Sequence, residues 1–343
     1  MSKSDYHDNF ASAQAAAQGS LDRAAQPSLF DRFEWAMRLH NMCLPAQKPL
    51  IIHSEKQQKN AWMFLMKRGF GDYSALANWY NFTYRPIFDH SYDEVTKLSL
   101  LAQLATSLSK KCHRIEISPV PEEDDSASLT ERAFRQAGWH VFKTQTDENH
   151  ILEVNGRTFD EYWASRPGQL RSTVRRKAKK NIVSIRIESE FNEESWADYE
   201  LIYAQSWKTA EGSPEFLRQL ATSEASAGCL RLGLAYIDGV PAAAQFWTVE
   251  NGTALIHKLA HDEKYIKSSP GSLLSAAMFQ QAIDVDKVDL IDFGTGNDRY
   301  KHDWMEKVRP RYLLEMYWPN SPLSWFPIVK HHISKLVAKH RSH

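Results

Sequence analysis

Residues 253–304, TALIHKLAHDEKYIKSSPGSLLSAAMFQQAIDVDKVDLIDFGTGNDRYKHDW, restrict the fold more than any other stretch. An alternating segment passes into a helical period and then into an apolar run, so the stretch reads as strand, polar turn, helix, strand and loop. Leu255, His257 and Leu259 alternate with Ile256, Lys258 and Ala260, which places His257 and Lys258 on opposite faces of a regular strand. Leu273, Leu274, Ala277, Met278 and Ala282 then recur at helical spacing. Between the two lies Ser268-Ser269-Pro270-Gly271-Ser272. Ser269 suits an N-cap and Pro270 the first helical position, where a missing N–H costs nothing. A helix start flanked by small residues leaves N–H groups aimed outward and is a ready anion site.

The rest of the composition limits the class. A chain of 343 residues suits two domains. Its 42 basic and 42 acidic residues balance, so any cationic site must be local. Three scattered cysteines, Cys43, Cys112 and Cys229, fit a reducing compartment and neither a disulfide framework nor a zinc cluster. No apolar run approaches the roughly 20 residues that span a bilayer. A soluble cytoplasmic protein follows as the expectation.

In chain order, residues 1–29 are alanine-rich and short of large apolar groups, and are expected to be a disordered tail. Residues 30–157 read as an α/β unit. It has a helix near 30–41, strands at Leu50–His53 and Trp62–Leu65, the aromatic segment NWYNFTYRPIF, a helix over 92–110, the strand HRIEISPV, a second helix ending at GWH, and a strand around Ile151–Val154. Residues 158–320 form the second unit. Thr158 with Glu161 has the form of a capping box. The joint QLRSTVRRKAKKN sets Leu170, Val174 and Ala178 beside a stripe of Arg171, Arg175 and Lys179. An acidic helix over 193–209 follows, with Trp196, Tyr199, Tyr203 and Trp207 partly inward. Strands at 230–237, 240–249 and 253–262 are separated by Asp238-Gly239 and Asn251-Gly252, both strong hairpin signals. A last strand near Arg311–Trp318 precedes a basic amphipathic helix over 321–343.

Several of these segments, in this order, resemble a known family. SWK at 206–208, DGVPAAAQF at 238–246, HKLAHDEKYIKSSPGSLL at 257–274 and DFGTGNDRYKHDW at 292–304 resemble GNAT-fold acyltransferases of the CelD-like branch, related to the Fem peptidoglycan aminoacyltransferases. NWYNFTYRPIF, the segment ending GWHVF and the joint RPGQLRSTVRRKAKKN extend the likeness to about 45–318. The resemblance implies an α/β fold with mixed sheets and tandem GNAT-like domains, the second better formed. It implies acyl transfer by direct attack from acyl-CoA, such as acetyl-CoA, to an envelope saccharide or peptide precursor. Familiar GNAT enzymes carry Gln or Arg and two spaced small residues in the phosphate turn, whereas this chain has Lys267-Ser268-Ser269-Pro270-Gly271. A charged tRNA as donor, an RNA-binding protein and an inactive GNAT-like partner in an exopolysaccharide assembly therefore stay open as alternatives.

Candidate residues follow from the chemistry of such a transfer, which needs a base, a charge-stabilising group and an acid for the leaving group. Asp292 shares strand phase with Val288 and Leu290 and is the candidate base, with Tyr300 as acid and Lys301 as cation. Asp292 as a brace of the following glycine turn is the competing structural reading. Lys267, Ser268, Ser269, Gly271 and Ser272 are candidates for the donor phosphates. Arg171, Arg175, Lys179, Trp207, Lys208, Gln245 and Lys258 are candidates for substrate contacts. No GxSxG elbow, HExxH or Walker sequence is present, so neither an acyl-enzyme nor a metal is expected. Peripheral membrane contact through the terminal helix is a further expectation.

Overall fold

The computed structural model describes residues 3–341, so the parts of the expected tail and terminal helix that fall on residues 1, 2, 342 and 343 lie outside the described residues. The chain separates into two units, one formed by Met1–Asp147 with Arg309–His343 and the other by Glu148–Val308.

Unit 1 contains β1 (Lys3–His7), α1 (Phe10–Ala17), α2 (Phe33–Cys43), β2 (Pro49–Lys56), β3 (Lys59–Gly69), β4 (Asp72–Ala75), β5 (Ile87–Phe88), α3 (Glu94–Leu108), β6 (Arg114–Pro121) and α4 (Ser126–Gln136). β7 (His140–Glu153) then carries the chain across the boundary into unit 2. Neighbouring strands β1, β2, β3 and β4 are antiparallel, and β4 is joined by parallel β6 through the crossover helix α3. Leu100, Leu101, Leu104, Ala105 and Leu108 form the buried face of α3. Trp139 fixes that helix by donating its indole N–H to the Ala105 carbonyl at 3.0 Å.

The expected disordered tail is instead ordered from Lys3. β1 pairs with β2 from Lys3↔Glu55 to His7↔Ile51, and Ala13 and Leu21 are fully buried. Backbone pairing at a sheet edge, the burial of Leu21 and Leu29 and the packing of Phe10 on Phe33 stabilise this segment, so its few apolar groups suffice.

Unit 2 contains α5 (Phe159–Ala164), α6 (Gly168–Ala178), β8 (Val183–Glu188), α7 (Glu193–Ala204), α8 (Pro214–Ser226), β9 (Leu230–Ile237), β10 (Val240–Glu250), β11 (Thr253–His261), α9 (Pro270–Gln280), β12 (Leu290–Thr295) and α10 (Lys301–Trp304). The expected capping box is present at the start of α5. Both hairpins form, with Asp238, Gly239, Asn251 and Gly252 all at positive φ, as two-residue turns of this kind require. β8, β9, β10 and β11 are successive antiparallel neighbours, and β12 joins β11 in parallel through the crossover helix α9. The last residues of β7 close the sheet against β12, with Ile151 opposite Asp292. The core under α9 gathers Leu274, Met278, Phe279, Ala282 and Ile283 against Ala243, Trp247, Ile256, Ile291 and Phe293.

Each unit thus repeats four antiparallel strands, a crossover helix and a fifth, parallel strand. This is an α/β fold of tandem GNAT-like units with mixed sheets. β13 (Lys307–Tyr317) and α11 (Pro322–Arg341) return the chain to unit 1, because Arg311–Tyr317 pair antiparallel with β6. Arg311 is fully buried there and donates to both carboxylate oxygens of Glu123 at 2.8 and 2.9 Å. The expected boundaries, 30–157 and 158–320, therefore differ from the structural units at both ends, since strand order along the chain does not reveal which strands are neighbours. Among the described residues, no helix is long and apolar enough to cross a membrane.

Candidate active site

The parallel pair β11 and β12 is short, running from Thr253↔Leu290 to Leu255↔Asp292. Beyond it the two strands have no further paired residues, and a cleft of about 230 Å³ opens beside them. Its walls come from Leu259, Ala260 and His261 of β11, the start of α9 at Ser269–Ser272, Ser275, Gln245, Trp207, Ile266, Phe293, Tyr300 and Trp304.

The α9 start differs in one respect from its expectation. Ser269 does not cap the helix through its side chain: its backbone is left-handed, at φ 54° and ψ 45°, and its side chain makes no cap hydrogen bond. A non-glycine residue in this region costs on the order of 1 kcal/mol or more and persists only where its surroundings fix it. The Ser269 carbonyl accepts from Leu273 N at 3.2 Å, and no acidic residue stands in the first turn. Pro270 contributes no N–H, so Gly271 and Ser272 present the first donors at the cleft wall. A Cβ on Gly271 would meet His261 Nδ1 at 3.4 Å, an ordinary contact that also puts the missing methyl beside the cleft. Lys267 and Ser268 precede the turn and are not cleft-lining residues, but Lys177 of α6 donates to the Lys267 carbonyl.

Gln245 joins strand to helix, donating from Nε2 to Ser275 Oγ at 2.7 Å and accepting from Trp247 Nε1 at 2.9 Å. Trp207 covers His261, with ring centroids 4.4 Å apart. Burial is the main reason the His261 pKa lies below the usual imidazole value, so the ring is neutral at pH 7 and able to accept a proton. His261 was not a sequence candidate; its place at the strand end immediately before the Asp262-Glu263 turn was the available signal.

Tyr300 lines the cleft with its ring 5.6 Å from that of Phe293. Burial, followed by the charge of and hydrogen bond to Asp298, raises its pKa, so the phenol keeps its proton. Asp292 and Lys301 occupy other positions. Phe293 faces the cleft and α9, so its strand neighbour Asp292 points to the other side of the sheet. There Asp292 Oδ1 accepts from Asn149 Nδ2 and from Gly294 N, both at 2.7 Å. Lys301 is buried, and its ammonium donates to the Gly294 and Thr295 carbonyls. Both side chains brace the turn that carries Tyr300 and neither lines the cleft. The physical reason is that the glycine turn leaves buried N–H and C=O groups that need charged partners.

A second correction concerns His257 and Lys258. The β10–β11 register slips between Phe246 and Trp247, pairing Phe246 with Lys258 and Trp247 with Ile256, so His257 is the extra residue of a bulge. Both side chains consequently face α7. His257 Nε2 lies 2.8 Å from Thr248 Oγ1, and Lys258 pairs with Glu211 at 2.6 Å beneath the Tyr203 ring. Lys208 is mostly buried near these groups, and desolvation, then Lys258, lowers its pKa to about 8. On this face lies a second hollow of about 370 Å³, lined by Trp196, Tyr199, Tyr203, Glu200 and Glu211 among others. The loop 205–213 supplies Trp207 to the cleft and Glu211 to the hollow.

The α6 stripe is solvated: Arg171, Arg175 and Lys179 are exposed and none lines the cleft. Among the described residues, one group has metal-type ligand atoms within 4.8 Å of one another, Glu224, Cys229 and Glu250, and none of the three lines the cleft. The Cys229 thiol donates to the Ala227 carbonyl at 3.4 Å.

Residues 164–302, within unit 2, match the model of the acetyltransferase (GNAT) domain. No curated protein matches the sequence. Solved structures match most of the chain. That of FemX covers 94% of this chain and 98% of its own at TM-score 0.61 and 13% identity. The C-terminal domain of a putative lysylphosphatidylglycerol synthetase from Agrobacterium fabrum covers 90% and 92% at TM-score 0.55 and 14% identity. L-PGS from Bacillus licheniformis covers 81% and 86% at TM-score 0.51 and 13% identity. At these identities the likeness is one of fold.

Proposed function

From the premise that the chain is a transferase carrying a GNAT domain, we propose that unit 2 transfers an acyl group from acyl-CoA directly to an amine or hydroxyl acceptor. The observation that carries this reading is the uncapped start of α9, opening into the cleft where β11 and β12 part company. Free N–H groups at a helix start, with no acid in its first turn, suit a donor's phosphates. The acyl end then extends along β11 toward His261 and Tyr300.

In the reaction the acceptor N or O forms a bond to the acyl carbonyl carbon, and the C–S bond of the thioester breaks. His261, neutral and half-buried, takes the acceptor's proton. Tyr300, held protonated, gives its proton to the leaving thiolate. Asp292 and Lys301 act through the turn they brace and are positioning residues. The hollow beneath α7 supports a saccharide acceptor, because aromatic faces suit sugar rings and Glu200 and Glu211 suit their hydroxyls. An envelope saccharide or peptide precursor, acetyl-CoA as the donor and a cytoplasmic setting accord with the CelD-like resemblance.

A second reading, transfer from an aminoacyl-tRNA, draws on α6. That helix has no buried residue, and it and the two residues after it expose Arg171, Arg175, Arg176, Lys179 and Lys180. One experiment separates the two: calorimetric titration with CoA and with uncharged tRNA, alongside single-turnover assays of His261→Gln and Tyr300→Phe. The acyl-CoA reading expects CoA binding, and a loss of about 10²-fold in turnover for each variant with CoA affinity retained. Salt-sensitive tRNA binding without CoA binding would replace it with the second reading.

A further inference from the structure

Independently of the cleft, we propose that α11 is a docking face for an anionic lipid bilayer, on which unit 1 rests without spanning it. One side of the helix is anchored. Ser324 is fully buried and donates to the His113 carbonyl at 2.9 Å, and Ile328 packs with Phe142 and Tyr317. His331 stacks on Phe142 with centroids 4.1 Å apart and reaches Glu315 at 3.1 Å.

The other side is bare. Leu323 is 57% exposed, Phe326 78%, Val329 54% and Ile333 54%, at the three- and four-residue steps of one helical stripe, with Trp325 59% exposed beside them. Trp325 satisfies its indole N–H on the Pro319 carbonyl at 2.8 Å while the ring stays in solvent, the arrangement of an interfacial tryptophan. A contiguous apolar stripe of this kind on a water-soluble surface marks an interaction site.

Charge selects the occupant. After Glu315 the chain holds no acidic residue, and Lys330, four residues after Phe326 on the same side of the helix, is exposed. An apolar stripe that carries a lysine and no carboxylate fits anionic headgroups above acyl chains. A second copy of the same helix fits less well, because pairing would bring two cationic segments together without a compensating carboxylate. The helix is not apolar enough to cross a bilayer, which leaves it lying in the interface plane.

The test is co-sedimentation of the full chain with vesicles of phosphatidylcholine alone and of phosphatidylcholine mixed with phosphatidylglycerol, at low and high salt. The chain is expected to sediment with the mixed vesicles, less so at high salt and least with phosphatidylcholine alone. Leu323→Ser/Phe326→Ser/Ile333→Ser should lower partitioning by about tenfold or more while the melting temperature stays unchanged, since all three side chains are exposed. Lys330→Gln should reduce the lipid selectivity. Equal sedimentation with both vesicle types, or none with either, overturns the proposal. So does a dimer in solution that the triple serine variant dissolves, which would assign the stripe to a second copy of the chain.

Discussion

The crossover helices α3 and α9 hold the same place in the two repeated topologies, each linking an antiparallel strand to its parallel neighbour, yet they begin in opposite ways. α3 starts at Asp93, whose carboxylate accepts from Thr96 N at 2.7 Å, with Glu94 in its first turn. Hydrogen bonds from Thr96 hold the Asp93 pKa below the usual carboxylate value. Its helix start is closed by the chain's own anions. α9 starts at a strained serine with no side-chain cap and no acid, beside a cleft. The positive end of one helix serves stability, and that of the other is left open to a ligand. This contrast is the ground for the proposed donor site in unit 2.

The strongest way to sharpen the contrast is to loosen the turn behind the cleft. Lys301→Met keeps the length of a buried side chain but strips the Gly294 and Thr295 carbonyls of their donor. It should cost about 1–3 kcal/mol of stability and depress turnover with it. Chemical denaturation and turnover measured on one preparation check this, and an active, fully stable variant would remove the brace from the account.

Acid should act on unit 2 through His257. Burial, then the Lys258 charge, lowers its folded pKa to about 3. In the unfolded chain the same ring protonates near pH ~6.5. The unfolded state therefore binds the extra proton between these values, and stability falls as pH drops from about 6.5 toward 3, by up to about 1.4 kcal/mol per pH unit. His257→Gln should flatten this slope in urea denaturation followed across that range. An unchanged slope would move the acid sensitivity elsewhere.

The smallest effect belongs to the closed helix. Asp93→Ala should cost about 1 kcal/mol of stability through the lost N-cap and leave donor affinity untouched. A fall in CoA affinity measured by calorimetry would break the contrast between the two helix starts.

Much of this arrangement was legible in the sequence. The change of period over 253–304 marked strand, turn, helix and strand, and the Asp-Gly and Asn-Gly pairs marked the hairpins, because these features depend on local backbone chemistry. Features set by distant partners were not legible. The order of Lys3–His7 needs its pairing with β2, and the return of Arg311 to unit 1 needs Glu123. The bulge at His257 broke the alternation on which the facing of Lys258 rested. Asp292 shared strand phase with apolar neighbours, but only the observed sheet shows that Asp292 itself points away from α9. Pro214 at the start of α8 and Phe216, Leu217, Leu220 and Ala221 on its apolar face are, by contrast, local signals of a helix.

The central claim, that the open start of α9 holds the donor's phosphates, is tested most directly by making it resemble α3. Gly271→Asp sets a carboxylate in the first turn of α9, where an acid favours the helix but repels a phosphate. Calorimetric titration with CoA should give one site per chain in the native protein and none in the variant, at an unchanged melting temperature. Equal CoA affinity in the two proteins would contradict the claim.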